Sequence, residues 1–527
     1  MKRKLIALII TLIVGFLNFY LFLPALNIHS LGFWFFIIFL IIIYSAIANF
    51  TDLINSAKIG VKKKKIKFSA IMLVPIIILG ILIIDILGSP IFNSTKYANR
   101  IIIDETKSFT EDVKPVDFTK LPLLDKDSSQ KLGDRVMGQM SELVSQFNVS
   151  EMYTQINYND NIVRVTPLDY ASFIKWITNK KDGVRGYIMV DSVTGESTLK
   201  KLDKGMKYVP SAYFNDYLTR KLRFSYPKDV FGHISFEIDN EGNPYFIVPV
   251  ISYKLIGLRA DVSDIIIFNP INGTSEKIKI DKVPTWVDMA YSAELIIEQV
   301  DDWGTYRGGF LNSIFGQKNV VNTTDGYNYL AMNDDIYLYT GITSIVADES
   351  NLGFILTNMR TKETSFYSAP GAEEYSAMAS AEGAVQAMKY TSTFPLLINL
   401  NNKPTYLVSL KDAAGLVKMY GFVDVADYQK VVITDSSKGI EVAAKNYLGD
   451  AIEETDESTL KTKTITIKSI KEATINGNSY YYITDEDDNK YKVSITVSDN
   501  LPFLKSGVSI KICYTIESDI TTINKIY

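Results

Sequence analysis

The chain has 527 residues, more than one ordinary domain holds and enough for about three globular units of roughly 150 residues. Its net charge of −4 hides an asymmetry: residues 1–90 carry nine Lys/Arg against Asp52 and Asp85, a net of +7, and the remainder carries −11. The acidic remainder argues against a nucleic-acid partner, since phosphate contacts need clustered cations, and a single cysteine, Cys513, excludes an internal disulfide.

The N-terminal region reads as membrane. Leu5 to Leu26, Leu31 to Ala48 and Phe68 to Leu87 are apolar runs long enough to cross about 30 Å of hydrocarbon at about 1.5 Å per residue. A tight hairpin, Asn27-Ile28-His29-Ser30, joins the first two. Lys2, Arg3 and Lys4 precede the first run, and Lys62, Lys63, Lys64, Lys65 and Lys67 separate the second from the third. Basic flanks stay cytoplasmic, so both clusters predict a cytoplasmic N-terminus and place residues 91–527 outside. The first run is too long for a signal-peptide core and offers no small-x-small cleavage site, so an uncleaved anchor is expected. Asp85 stands near the outer end of the third run. It is either a functional intramembrane acid, in a proton path or against a partner's cation, or an interfacial residue reaching the headgroups.

Beyond the anchor (1–90), residues 91–127 mix charges, prolines and short apolar pieces and read as a stalk. Helical spacing predicts an amphipathic helix over 128–147. Thr166-Pro167-Leu168-Asp169 has a capping residue, a proline at the first helical position and an acid, predicting a helix to about Lys180. Hairpins follow around Ser192-Val193-Thr194-Gly195 and Asn269-Pro270-Ile271-Asn272-Gly273. Residues 234–250 (ISFEIDNEGNPYFIVPV) align without gaps on 394–410 (FPLLINLNNKPTYLVSL), an offset of 160 residues, each copy preceded by a predicted helix. A duplicated α+β module is the economical reading, with modules over 128–320 and 321–447.

The hairpin Val190-Asp191-Ser192-Val193-Thr194-Gly195-Glu196 resembles the terminal hairpin of PepSY modules, small α+β domains of bacterial envelope proteins and peptidase propeptides. Pro244-Tyr245-Phe246-Ile247-Val248 resembles their central strand. The likeness covers 184–280 and 371–435, and the second copy has no clear D-x-x-T-G at its end. It implies binding or inhibition of other envelope proteins and brings no catalytic residues. After an acidic linker at 448–461, residues 462–527 alternate as three strands, a crossover and two strands, resembling an OB-type barrel.

Chemistry is sparse. The two histidines, His29 and His233, are too few for a histidine-rich zinc site. Ser197-Thr198-Leu199-Lys200 spells the first penicillin-binding-protein motif but falls in a hairpin, where the nucleophile needs a helix start. Glu298, Asp301 and Asp302, beside Trp303 and Tyr306 at the end of a helix predicted over 286–300, are the best paired carboxylates for glycan cleavage. The bland alternative is a solvated helix end. The expected protein is multidomain: three transmembrane helices, then mainly antiparallel α+β modules outside the membrane and a small OB-like barrel. It is expected to be non-catalytic, with no cofactor or metal, and to bind, scaffold or regulate other proteins of a bacterial envelope bounded by one membrane. A glycan- or peptide-processing enzyme and an accessory subunit of a transport or secretion complex are the alternatives.

Overall fold

The computed structural model describes residues 2–58, 70–139, 141–345, 347–448, 461–475, 478–498, 500–515 and 521–526. The lysines at 62–65 and 67, and residues 449–460 of the acidic linker expected over 448–461, lie outside them. Two compact units divide at Ala443/Ala444.

The first unit begins with three long apolar helices: α1 (Lys2–Phe22), α2 (Leu31–Lys58) and α3 (Leu73–Gly88). Each contributes to a 19-residue apolar stretch, Lys4–Phe22, Leu31–Asn49 and Ala70–Gly88, about 28 Å of helix and sufficient to cross a bilayer. Gly15 lets α1 approach α2; a Cβ there would come within 2.9 Å of Leu40.

The predicted stalk does not stand off the body. Residues 91–127 run across it: α4 (Pro90–Ala98) leads to β1 (Ile103–Asp104), which pairs in parallel with a body strand, then to α5 (Phe109–Asp112). Ile101, Phe109, Val113, Leu121 and Leu123 are buried. These are the short apolar pieces scattered among the charges, and burying them is what ties the segment down.

The body then repeats one arrangement four times. The first module holds α6 (Lys126–Gly138), α7 (Ser141–Val144), β2 (Phe147–Val149), β3 (Thr154–Tyr158), β4 (Asn161–Tyr170), α8 (Phe173–Asn179), β5 (Val184–Asp191) and β6 (Ser197–Met206). The second holds α9 (Leu218–Ser225), β7 (Val230–Phe231), β8 (Ser235–Ile238), β9 (Pro244–Tyr253), β10 (Ala260–Phe268) and β11 (Ser275–Lys279). The third holds α10 (Ala293–Tyr306), β12 (Val321–Thr323), β13 (Asn328–Met332), β14 (Asp335–Ser344), β15 (Ala347–Asn358) and β16 (Thr364–Ala372), with β1 added beside β16. The fourth holds α11 (Glu374–Ala384), β17 (Thr391–Ser392), β18 (Leu396–Leu400), β19 (Lys403–Lys411), β20 (Val417–Asp424) and β21 (Val431–Asp435), followed by α12 (Ile440–Leu448).

In every copy two short strands share one edge of a long central strand, and two further strands continue as an antiparallel meander from its other edge. At each break between the short strands, an N–H donates to the central strand: Ser150 to the Pro167 carbonyl, Gly232 to Pro249, Thr324 to Gly341 and Thr393 to Ser409. This explains the error at Thr166-Pro167. The segment is strand β4, not a helix start, and the helix begins only at Phe173 behind the cap Ser172. Pro167 would have aimed its missing N–H at that same interrupted edge, one of the few places in a sheet where proline costs no ladder bond. Pro249 stands at the equivalent point.

Each meander ends in a turn closed the same way. Asp191 accepts from the N–H groups of Val193 and Thr194, Asn269 from Ile271 and Asn272, Asn358 from Arg360 and Thr361, and Asp424 from Ala426 and Asp427. The 160-residue echo is thus between copies two and four. The two hairpins differ in register by one residue: Ile238 pairs with Pro244, whereas Ile398 pairs with Thr405. The cause is the turn, in which Gly242 (φ +83°) closes a longer loop in one copy and Asn401 and Asn402 (φ +52° and +60°) form a two-residue turn in the other.

Two cores organise copies one to three. Val165, Ile188, Phe236, Phe246 and Phe268 pack in one; Ile247, Ile265, Ile296, Val300 and Ile336 in the next. Phe246 and Ile247 are adjacent in sequence and face opposite cores, so β9, covered on both faces, is almost wholly apolar.

In the second unit the strands are β22 (Lys461–Ile475), β23 (Asn478–Asp485), β24 (Lys490–Ser494), β25 (Ser509–Thr515) and β26 (Thr521–Ile526). Their pairing order, β22-β23-β24-β26-β25, returns to β22. The long β22 makes this possible by pairing with β25 through its first half and β23 through its second. Cys513 is buried on β25.

Candidate functional site

The three carboxylates singled out in the sequence do not face an open cleft. Helix α10, capped by Ser292 through the Leu295 N–H, carries Glu298 and Asp302 one turn apart, on one face. Both accept from Nη1 of Arg100, at 2.7 and 2.5 Å, and Arg100 Nη2 donates to the Ala260 carbonyl at 2.8 Å. The guanidinium is 5% exposed; burial disfavours its charge, but the two carboxylates outweigh that and hold it protonated. Asp301 points elsewhere and accepts from the N–H and hydroxyl of Thr323, fastening β12. Burial raises its pKa against those two bonds. Glycan hydrolysis needs two carboxyls flanking a substrate; here two of the three clamp one cation, and the cluster is a latch between α4 and α10.

Asp85 is exposed on α3, one turn before Gly88. Gly88 itself is close-packed: a Cβ there would meet Leu255 and Leu258 of the second module.

The same module grips the other two helix ends. Arg220 Nε donates to the Tyr20 carbonyl and Arg223 Nε to the Leu23 carbonyl, both at 3.0 Å. The Leu26 N–H donates to the Pro227 carbonyl, and the Gly257 N–H to the His29 carbonyl. The Arg220 guanidinium also lies 4.1 Å from the Tyr20 ring centroid, and Phe224 packs edge-on against Phe19. The ends of all three spans therefore meet one face of the body. The arginines satisfy carbonyls left without partners at the end of α1.

The most distinctive chemistry lies in a cavity of about 460 Å3 to which elements of all four modules contribute. Arg164 on β4 and Gln155 on β3 line it, 7% and 2% exposed. Arg164 Nε and both polar atoms of the Gln155 amide are buried and make no hydrogen bond among the described residues. Burial pushes the Arg164 guanidinium down to about 10, with Asp125 only partly opposing. Asp125 is itself engaged, accepting from Lys411 Nζ and the Ser128 N–H. The first turns of α6 (Lys126, Asp127) and α10 (Ala293, Glu294) open onto the same space, bringing N–H groups that have no intrahelical partner. Tyr291, Tyr327 and Tyr329 supply aromatic wall.

Behind the wall sit two buried acids. Glu237 accepts from the Ser235 hydroxyl and the N–H groups of Asp288 and Met289, yet burial pushes it up to about 7. Asp288 is raised well above the carboxylate range by burial and by Glu237; one oxygen accepts from the Asn157 N–H and the other has no partner. His233 lines the cavity with its ring exposed.

Arg164 and Gln155 were not among the sequence candidates. The signal available was an arginine inside the apolar strand run Ile162-Val163-Arg164-Val165, obscured by reading the next residues as a helix.

No family model matches the chain, and no curated protein matches it. Among solved structures, an apocarotenoid oxygenase of Synechocystis aligns over 72% of this chain and 61% of its own length, at 8% identity and a TM-score of 0.15. A chimera of that enzyme with RPE65 aligns over 72% and 65%, at 7% identity and a TM-score of 0.14. At these scores the likeness carries no argument about fold or function.

Proposed function

We propose that this chain is a non-catalytic binding, scaffolding or regulatory protein of a bacterial cell envelope. Three helices anchor it in the cytoplasmic membrane with the N-terminus inside and residues 91–527 outside. The body is a string of PepSY-like modules, and the second unit is an OB-like barrel. The observation that carries the reading is the repetition of one α+β module, each copy ending in the same Asx-closed hairpin, fastened to the ends of the three spans. The D-x-x-T-G hairpin is the feature on which the PepSY likeness rests, and its geometry recurs where the sequence pattern fades, at Asn358 and Asp424. The ladder order of β22 to β26, with β24 and β26 parallel, supports the OB-like reading. The basic residues around Lys2–Lys4 and Lys62–Lys67 support the orientation, since the body meets the opposite helix ends.

The test is affinity purification of the full chain from gently solubilised native membranes, alongside an Asp85→Asn variant. Co-purification of soluble envelope proteins by both forms is the expected result. A stable integral-membrane partner lost in Asp85→Asn would instead favour the accessory-subunit reading, for which the exposed acid on α3 is the specific support. Turnover of cell-wall glycan or peptide, abolished by Glu298→Gln or Asp302→Asn, would overturn the non-catalytic reading.

A further inference from the structure

We infer that the cavity around Arg164 is a binding site for a short peptide with a free carboxyl terminus, an inference that rests on the binding reading above. Three independent features converge. A guanidinium taken out of water, with Asp125 opposing the cost only in part because Lys411 already holds it, gains from an incoming anion, and its planar fork suits a carboxylate held by two parallel bonds. The Gln155 amide, buried with both donor and acceptor idle, matches a group presenting an acceptor and a donor side by side, as the N–H and C=O of one residue in an extended peptide do. The first turns of α6 and α10 add free N–H groups and partial positive charge towards the same space. The rim is of opposite character: Asp127 and Glu294 are exposed there, beside Lys126. A zwitterionic peptide therefore enters carboxylate first and leaves its ammonium among the rim acids. The volume of about 460 Å3 falls in the range of about 300–1,000 Å3 typical of small-ligand sites, and the tyrosines offer faces for side chains.

The experiment is equilibrium dialysis of the full chain in nanodiscs against a mixed pool of tripeptides with free carboxyl termini, the same pool amidated, and inorganic phosphate. Retained peptides are identified by mass spectrometry. Wild-type protein is expected to retain members of the free-carboxylate pool at least tenfold over their amides, and Arg164→Gln and Gln155→Leu to lose that retention. Both variants are also melted: Arg164→Gln is expected to unfold no earlier than wild type, because it removes an uncompensated charge. Equal retention of amides, retention of phosphate alone, no retention, or a large fall in melting temperature in Arg164→Gln would each overturn the site. Loss of this site leaves partner co-purification untouched, so the two readings fail separately.

A second observation stands apart from the cavity. Beside the end of α1 the body exposes Phe173, Ile174 and Ile177 of α8 together with Tyr213 and Phe214. Phe173 packs on both Tyr213 and Phe214, and the latter two line a groove with Tyr20 and Leu21 of α1. Lys180 lies over Trp176, and Lys207 and Lys221 over Tyr208. On the other flank, α10 runs antiparallel to α4, with Tyr306 against Tyr97 and Glu298 against Arg100. Its C-terminal end therefore points back towards the third span, where Leu311, Ile314 and Phe315 are 70%, 50% and 81% exposed. Apolar and aromatic tips with a basic rim, continuous with a span's end, match the interface of a bilayer. The structure assigns these two elements to the lipid surface as wedges that seat the body. In a Cys513→Ser background, spin labels at Ile174→Cys and Phe315→Cys in phosphatidylglycerol-containing nanodiscs are expected to show oxygen accessibility of the headgroup–acyl boundary, unlike a label at Asn401→Cys. Labels as water-exposed as that at Asn401, or immobilised only in native membranes by another protein, would overturn the assignment.

Discussion

Arg100 and Arg164 are both withdrawn from solvent, Arg164 the more completely over the whole residue, and their surroundings are opposite. Arg100 is held by Glu298, Asp302 and the Ala260 carbonyl, and joins α4 to α10. Arg164 makes no ion pair among the described residues, and Asp125, held by Lys411, opposes the cost of its burial only in part. A compensated charge holds structure together, whereas an uncompensated one is a cost carried for something that is absent when the chain stands alone. The buried acids follow the same division. Glu237 and Asp288 lie behind the cavity and make no ion pair among the described residues, while Asp485 of the second unit accepts from Lys463, Asn489 and Tyr491.

The largest effect should come from breaking the compensated side. Arg100→Leu leaves Asp302 buried and unpaired and is expected to destabilise the first unit by about 3–5 kcal/mol, read by denaturant unfolding. Glu237 comes next and gives a pH signature. Its folded pKa of about 7 lies above the unfolded value of 4.5, so its contribution is fully present below pH 4.5 and is lost as pH rises towards and through 7. Thermal stability of the first unit should fall by roughly 3 kcal/mol across that window, with Asp288 adding in the same direction. Glu237→Gln should flatten the profile. A flat wild-type profile would show that the acids behind the cavity are compensated after all.

Asp485 predicts the mirror image. Its folded pKa of about 2 is below the unfolded 3.8, because Asn489, Tyr491 and Lys463 outweigh burial. The second unit's stability is present above pH 3.8 and is lost as pH falls through 2. Asp485→Asn is expected to cost roughly 2 kcal/mol at neutral pH, measured on the full chain by hydrogen exchange of β22 to β24. The smallest effect is a gain: Arg164→Met should stabilise the first unit by about 1 kcal/mol. A loss there would erase the contrast with Arg100.

Apolar length alone revealed the three spans, and period-two alternation located most hairpins, because both signals are local. The fourfold repeat was not legible beyond one pair of copies. What repeats is the edge on which two short strands sit and the Asx closure of the last turn, and Asp191, Asn269, Asn358 and Asp424 satisfy that closure in four different local sequences. Pro167 misled for a related reason: its tolerance depends on a gap in the partner edge, a long-range fact. The acids at Glu298 and Asp302 were visible, but their partner Arg100 lies on a segment that reads as a stalk. Arg164 and Gln155 became a site only when β3 and β4 met the first turns of α6 and α10.

Arg220 and Arg223 reach out of the second module to the last carbonyls of α1, and Leu255 and Leu258 close over Gly88. During synthesis the spans leave the ribosome first, so module two completes its packing against helix ends already in place. A soluble fragment starting at residue 91 would leave the Nε of Arg220 and of Arg223 without the α1 carbonyls, their Nη1 bonds to Phe214 and Asp229 remaining, and would uncover a patch of Phe224, Leu255 and Leu258. The anchor is in that sense the missing wall of the body, and a fragment without it would aggregate or melt early at that corner.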